Sequence, residues 1–130
     1  MGGGQSMIGL VSVLALCAAV ACGGHEPSTS GIQPARRVGS LDDAERATLC
    51  DWTNGLLGGY DHETVCGPTL SRTSDSSQQE CTARLSRFTG CDQTVRDYEI
   101  CVRGIAATIC ELNPGGEGPE CSAYDTCIGM

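Results

Sequence analysis

Apolar side chains fall into three kinds of pattern along the 130 residues. Residues 7–21 form an apolar run without a charge. Residues 23–40 show no apolar period at all and are rich in Gly, Ser and Pro, the composition of a flexible linker. From residue 41 onward the apolar positions recur at helical spacing. A first helix is predicted to begin at Ser40, where Ser40 and Asp43 have capping-box spacing and Asp42, Asp43 and Glu45 crowd the first turn. Leu49, Trp52 and Leu56 share one face, with Cys50 beside them, and Gly58-Gly59 ends the helix. Residues 58–74 read as an irregular loop. A second helix is predicted from Asp75, with Gln78 as its capping partner and Cys81, Leu85 and Phe88 on one face, ending at Thr89-Gly90. The third has the most regular seam: Val95, Tyr98, Val102, Ile105, Ile109 and Leu112. Thr94 and Asp97 are placed to cap it, and Asn113-Pro114-Gly115-Gly116 stops it. A short last helix or turn is expected over 119–127. These elements predict an all-α fold, a small disulfide-stapled bundle of about three helices with long irregular loops. The short connection between the second and third helices makes them antiparallel neighbours. Folding about Cys91 sets Cys81 opposite Cys101, a candidate bridge.

The N-terminal run divides the chain into three parts. At 15 residues it is short for a bilayer span but suits the core of a signal peptide. It closes in small residues, Ala19-Val20-Ala21, followed by Cys22-Gly23-Gly24. That motif resembles the bacterial lipobox, in which the cysteine is acylated and becomes the first mature residue. The resemblance implies a signal peptide over 1–21, lipidation of Cys22, and a linker over 22–40 before a body at 41–130. Ala19 stands where the motif usually has Leu, and Met1–Ser6 carry no Lys or Arg. A plain signal peptide cleaved near Ala21 and a retained anchor are the other readings. Cys17 follows the bulky Leu16 and reads as part of the apolar core that is removed; His25 falls in the linker.

Composition explains why the body needs cross-links. Residues 41–130 hold fourteen Leu, Ile and Val, one Phe and one Trp. They also carry fifteen acids against six arginines. So small and so acidic a chain sits close to the border of disorder. Eight cysteines (Cys50, Cys66, Cys81, Cys91, Cys101, Cys110, Cys121 and Cys127) lie in the same stretch, and each disulfide typically adds about 2–4 kcal/mol. No Cys-x-x-Cys occurs, which removes thioredoxin-type redox chemistry and the usual zinc spacings. The nine-residue gaps on either side of Cys91 are similar to those of the twin Cys-x9-Cys helical hairpins of mitochondrial intermembrane-space proteins. Thr89-Gly90 interrupts the first arm and the next gap, to Cys110, has eight residues.

Over residues 18–130 the chain resembles the small cysteine-rich lipoproteins of myxobacteria. Leu49-Cys50-Asp51-Trp52, Gly58-Gly59-Tyr60 and Cys91-x-x-Thr94-Val95-x-x-Tyr98-Glu99-x-Cys101 carry the likeness. It implies a cell-envelope address and no established activity.

Candidate chemistry is sparse. Asp61-His62-Glu63 groups two carboxylates with the body's one histidine, and the plainer reading is a polar loop. Trp52 is read as core rather than as a recognition patch with Tyr60. Arg84, Arg87, Arg96 and Arg103 alternate with acids and read as solvated ion pairs. Gly115-Gly116-Glu117-Gly118 is no phosphate loop, because it follows a helix and contains an acid. The net charge of −8 argues against nucleic acid as a partner. The expectation is therefore a non-enzyme without cofactor, catalytic residues or metal. It is lipid-anchored in the outer membrane, with a binding or structural role and an envelope or extracellular protein as partner. The alternative is a secreted or periplasmic inhibitor or effector-like module that inserts the 58–74 loop, bridged by Cys50 and Cys66. Full reduction should lower the melting temperature of the exported chain steeply, by the loss of about 2–4 kcal/mol per bridge; an unchanged calorimetric transition would show that sulfur is not what holds it.

Overall fold

A computed structural model describes residues 29–111 together with 121, 122 and 127. Cys17, Cys22 and His25, and the turn predicted at 113–116, lie outside the described residues. The order is α1 (Asp43–Leu56), β1 (Glu63–Val65), β2 (Ser71–Thr73), α2 (Gln78–Leu85) and α3 (Val95–Ala107), with short 3-10 turns at Val38–Ser40 and Ser86–Phe88. The all-α expectation is overturned. The loop after α1 folds into a two-stranded antiparallel sheet, so the fold is mixed α/β, about 51% helix and 9% strand among the described residues. Among the described residues no helix is long and apolar enough to cross a membrane.

Local capping sets the helix starts. Thr94 and Asp97 form the expected box: the Asp97 N–H donates to Thr94 Oγ1 and the Thr94 N–H to Asp97 Oδ2, both at 3.2 Å. For α1 the cap is Asp42 rather than Ser40, paired reciprocally with Glu45 at 2.8 and 3.0 Å. Leu41 is 1% exposed, and burying it draws Val38–Ser40 into a separate turn, which moves the helix start along the chain. α2 likewise starts from Ser77, not from Asp75, because the Asp75 carboxylate is engaged elsewhere. α3 ends at Ala107, short of Leu112, where the Thr108 hydroxyl donates to the Gly104 carbonyl at 2.9 Å.

The segment expected to be the end of a linker is packed. Residues 34–38 run alongside the start of α3. The N–H groups of Val95 and Arg96 donate to the carbonyls of Arg36 and Pro34 at 2.8 and 3.0 Å. Those are first-turn donors that the helix itself leaves unsatisfied. Val38 N–H donates to the Gln93 carbonyl at 2.9 Å, and Arg37 bridges Thr94. Upstream, the Ser30 N–H and hydroxyl both donate to Glu99 Oε1, at 2.7 and 2.6 Å. Glu99 is 3% exposed, so these two donors and Arg103, 3.8 Å from Oε2, compensate a buried carboxylate that would otherwise be costly. Arg36 ties the same strap to α1 through both oxygens of Glu45, at 2.9 and 3.0 Å. Composition alone conceals this strap, because backbone hydrogen bonds hold most of it and need no side-chain period.

The core gathers Val38, Leu41, Leu49, Trp52, Leu85, Phe88, Val95, Tyr98 and Val102 with four buried half-cystines. Trp52, at 4% exposed, is core. Phe88 and Tyr98 meet edge to face with centroids 6.4 Å apart. The predicted pairing of the second and third helices is corrected: both α2 and α3 pack on α1. The 3-10 turn Ser86–Phe88 and the strap turn Val38–Ser40 lie against each other at the head of that arrangement. Gly39 sits so close to the Phe88 carbonyl that a Cβ there would overlap it. The bridges follow this packing. They are Cys50–Cys81, Cys66–Cys110, Cys91–Cys127 and Cys101–Cys121. Neither the Cys81–Cys101 nor the Cys50–Cys66 pairing forms, since Cys81 faces Cys50 across the α1–α2 interface. Replacing Glu99 by Ala should cost about 1–3 kcal/mol and speed amide hydrogen exchange at Val95 and Arg96 as the strap loosens; unchanged protection at those two amides would contradict this account of the clasp.

Candidate functional site: a hairpin tied at both ends

The stretch after α1 is assembled from its glycines outward. Gly58 and Gly59 take φ of 96° and 112°, a region that side chains disfavour. A Cβ on Gly58 would lie 2.5 Å from the His62 ring, so both conformation and close approach demand glycine. The Gly59 N–H donates back to the Asn54 carbonyl at 2.7 Å. The chain then turns through Tyr60 and Asp61, the latter at φ 54°, and enters β1.

Register pairs Glu63 with Thr73, Thr64 with Arg72 and Val65 with Ser71. Flanking bonds extend the ladder: Ser74 N–H to the His62 carbonyl at 3.0 Å and Cys66 N–H to the Leu70 carbonyl at 2.9 Å. Alternation turns Thr64 and Arg72 inward and leaves Glu63, Val65, Ser71 and Thr73 exposed. Val65 is 71% exposed, an unusual setting for a β-branched apolar residue.

Two attachments hold this hairpin to the helices. At its base, Ser74 Oγ donates to the Gly59 carbonyl at 2.6 Å and accepts from His62 N–H at 2.9 Å, while Asp61 N–H donates to the Asp75 carbonyl at 2.8 Å. Asp75 is the hub beneath. Its carboxylate accepts from Arg84 Nη2 at 2.9 Å and Nε at 3.3 Å, and from Asn54 Nδ2 at 3.1 Å. Arg84 is therefore a half-buried structural ion pair rather than a solvated one. At the other end, Cys66–Cys110 staples the end of β1 to the chain just past α3.

Tyr60 joins hairpin, α1 and α2. Its hydroxyl donates to Asp51 Oδ1 at 2.8 Å, an oxygen that also accepts from Gln78 Nε2 at 2.8 Å. Burial, that hydrogen bond and the charges of Asp51 and Asp75 raise the phenol's pKa well above its ordinary 10.0. The group thus remains a neutral donor and is unsuited to act as a nucleophile.

Asp61, His62 and Glu63 do not converge. Among the described residues no three His, Cys, Asp or Glu side chains come together as metal ligands. Cavities lined by the described residues include a groove and a cleft. An open groove of about 580 Å³ lies between the strap and α1 beside Ile32, Arg36, Glu45 and Thr48, and its two charges are spent on each other. A cleft of about 170 Å³ is lined by Leu57, Tyr98, Val102 and Ile105. Of the residues singled out in the sequence, all eight body cysteines are joined in pairs; Asp61-His62-Glu63 leads into β1 rather than forming a site, and Asp75, expected to start a helix, supports the hairpin base. The one available signal for the hairpin was the wide Cys66–Cys81 gap, in which Leu70 is the one large apolar residue.

No protein family, curated protein or solved structure matches this chain.

Because Tyr60 titrates later in the folded state than in the unfolded chain, it contributes stability at neutral pH that disappears as the pH rises past 10.0 toward the folded value. Spectrophotometric titration near pH 10 should show the same phenolate signal in wild type and Tyr60→Phe; a smaller signal in the variant would place the Tyr60 pKa in the ordinary range.

Proposed function

We propose that this protein is a non-enzymatic, lipid-anchored component of the bacterial cell envelope whose disulfide-closed body presents the β1–β2 hairpin for binding. The observation that supports it best is the covalent closure of the body. All eight of its cysteines are consumed in four bridges, an arrangement suited to oxidising compartments outside the cytoplasm. Exporting such a chain needs a signal, and residues 7–21, which end in Ala19-Val20-Ala21 just before Cys22, are where the sequence offers one. Acyl chains on Cys22 would supply the membrane contact, each buried methylene adding about 0.8 kcal/mol. Gly23 after that cysteine is compatible with outer-membrane sorting. The resemblance to small myxobacterial lipoproteins points the same way.

Residues 23–29 alone separate Cys22 from the clasp at Ser30. Seven residues reach at most about 25 Å, so the anchored body stays near the bilayer instead of ranging on a long stalk. The role is binding or structural, with an envelope or extracellular protein as partner. The acidic balance speaks against nucleic acid.

A second reading, a secreted or periplasmic inhibitor or effector-like module, draws on the hairpin itself. An element held by hydrogen bonds at its base and by a disulfide at its far end, and exposing Val65, is preorganised for insertion into a partner's cleft. Radiolabelled palmitate should be incorporated by the wild-type chain in its bacterial host and lost in Cys22→Ser. Absence of label in the wild type would remove the anchor and leave the secreted reading.

A further inference from the structure

The four bridges differ in what can reach them. Cys50, Cys81, Cys101 and Cys121 are each 0–1% exposed. Cys91 and Cys127 are half-buried. In the remaining bridge Cys66 is half-buried too, but Cys110 is exposed, the one exposed half-cystine among the described residues. Disulfide exchange requires a thiolate to approach a sulfur along the S–S axis, so access ranks the four before any other factor. Cys66–Cys110 is the bridge that meets this requirement.

Neither of its half-cystines belongs to the apolar core, so its opening removes no core packing. The outward positions of both strands are exposed, and only Thr64 and Arg72 turn inward from them. The base of the hairpin rests on Ser74, Asp61 and the Asp75 carbonyl, none of which belongs to the apolar core. The core itself stays cross-linked by Cys50–Cys81 within the α1–α2 interface and by Cys101–Cys121 on α3.

We propose that Cys66–Cys110 is a thiol–disulfide exchange site that takes a dithiol reductant, and that its opening frees the far end of the hairpin while the helical body stays closed. One thiolate of the reductant attacks Sγ of the more exposed Cys110. The S–S bond breaks and Cys66 leaves as a thiolate, which takes up a proton. The second thiol of the reductant then attacks the mixed disulfide, releasing Cys110 as a thiol and leaving the reductant as its own disulfide. Two electrons and two protons pass from reductant to protein, and no further oxidant or reductant takes part. The inference goes beyond the anchoring reading and does not require Cys22 to be acylated. It makes the presentation of Val65 and its neighbours dependent on redox conditions.

The test uses the purified, oxidised, exported chain with dithiothreitol as the dithiol probe. Samples are quenched with N-ethylmaleimide and each cysteine is followed by peptide mass spectrometry. Cys66 and Cys110 should become modified together, at least about tenfold faster than the two buried pairs, as access-limited exchange requires. At that stage hydrogen exchange should accelerate at Cys66, at the freed end, while Ser74 at the tied base and the amides of α1 and α3 keep their protection. Earlier opening of any other bridge, simultaneous opening of all four with loss of helix, or hairpin protection unchanged after cleavage would each overturn the proposal. A Cys66→Ser/Cys110→Ser chain supplies the second measurement, since it should keep the helical circular dichroism of the wild type and exchange rapidly only at the far end of the hairpin. Loss of helical signal in that chain would show that the bridge supports the body, and the proposal would fail.

Discussion

Conformational entropy is the constraint from which this structure follows. Ordering each residue costs on the order of 1–2 kcal/mol of backbone entropy alone, and few large apolar side chains are present to oppose it. The buried set is one Phe, one Trp, one Tyr and a handful of Leu and Val. Cross-linking attacks the difficulty from the unfolded side, by removing conformations that the chain would otherwise regain. The bridges span separations of 20 to 44 residues, and loops of that size remove about 3–4 kcal/mol each on the chain-entropy account. The half-cystines of two bridges also serve as core residues, so the same sulfur atoms that shorten the unfolded chain fill the interior of the folded one.

Buried polar groups complete what apolar packing leaves open. Glu99 and Asp75 are two carboxylates drawn inside, with side chains 4% and 13% exposed. Each is used to fasten a segment with little apolar content of its own: Glu99 holds the strap through Ser30, and Asp75 underlies the hairpin through Arg84 and Asn54. A low-dielectric setting strengthens such contacts and penalises their loss. That explains how an acidic chain places two of its carboxylates inside without being driven apart. The hairpin then differs from the rest in kind. It has a ladder, a base and a staple but almost no interior, which is why it suits presentation more than support.

Much of the helical framework was legible in advance. α3 and its Thr94–Asp97 box were, because capping and a 3.6-residue seam depend on neighbours within one turn. The burial of Trp52 followed from its face of α1. The hairpin was not legible: a strand with one inward residue and two exposed ones shows no apolar alternation, and β1 and β2 have three residues each. The strap was missed for a related reason, since its carbonyls rather than its side chains make most of the contacts. Asp75 was read as a helix cap because an acid before a polar run usually is one; Arg84, nine residues on, claimed it instead.

Spacing along the chain carries the helix seams, the Thr94–Asp97 cap, the lack of common metal and redox spacings, and a small acidic body rich in cysteine and poor in large apolar residues. Only the tertiary structure decided which cysteines pair, where the packed body begins, and that residues 63–73 form a sheet. The dividing line is range. Contacts between near neighbours are written in spacing, whereas the partner of Cys66 lies 44 residues away, and its identity depends on how every helix between them packs.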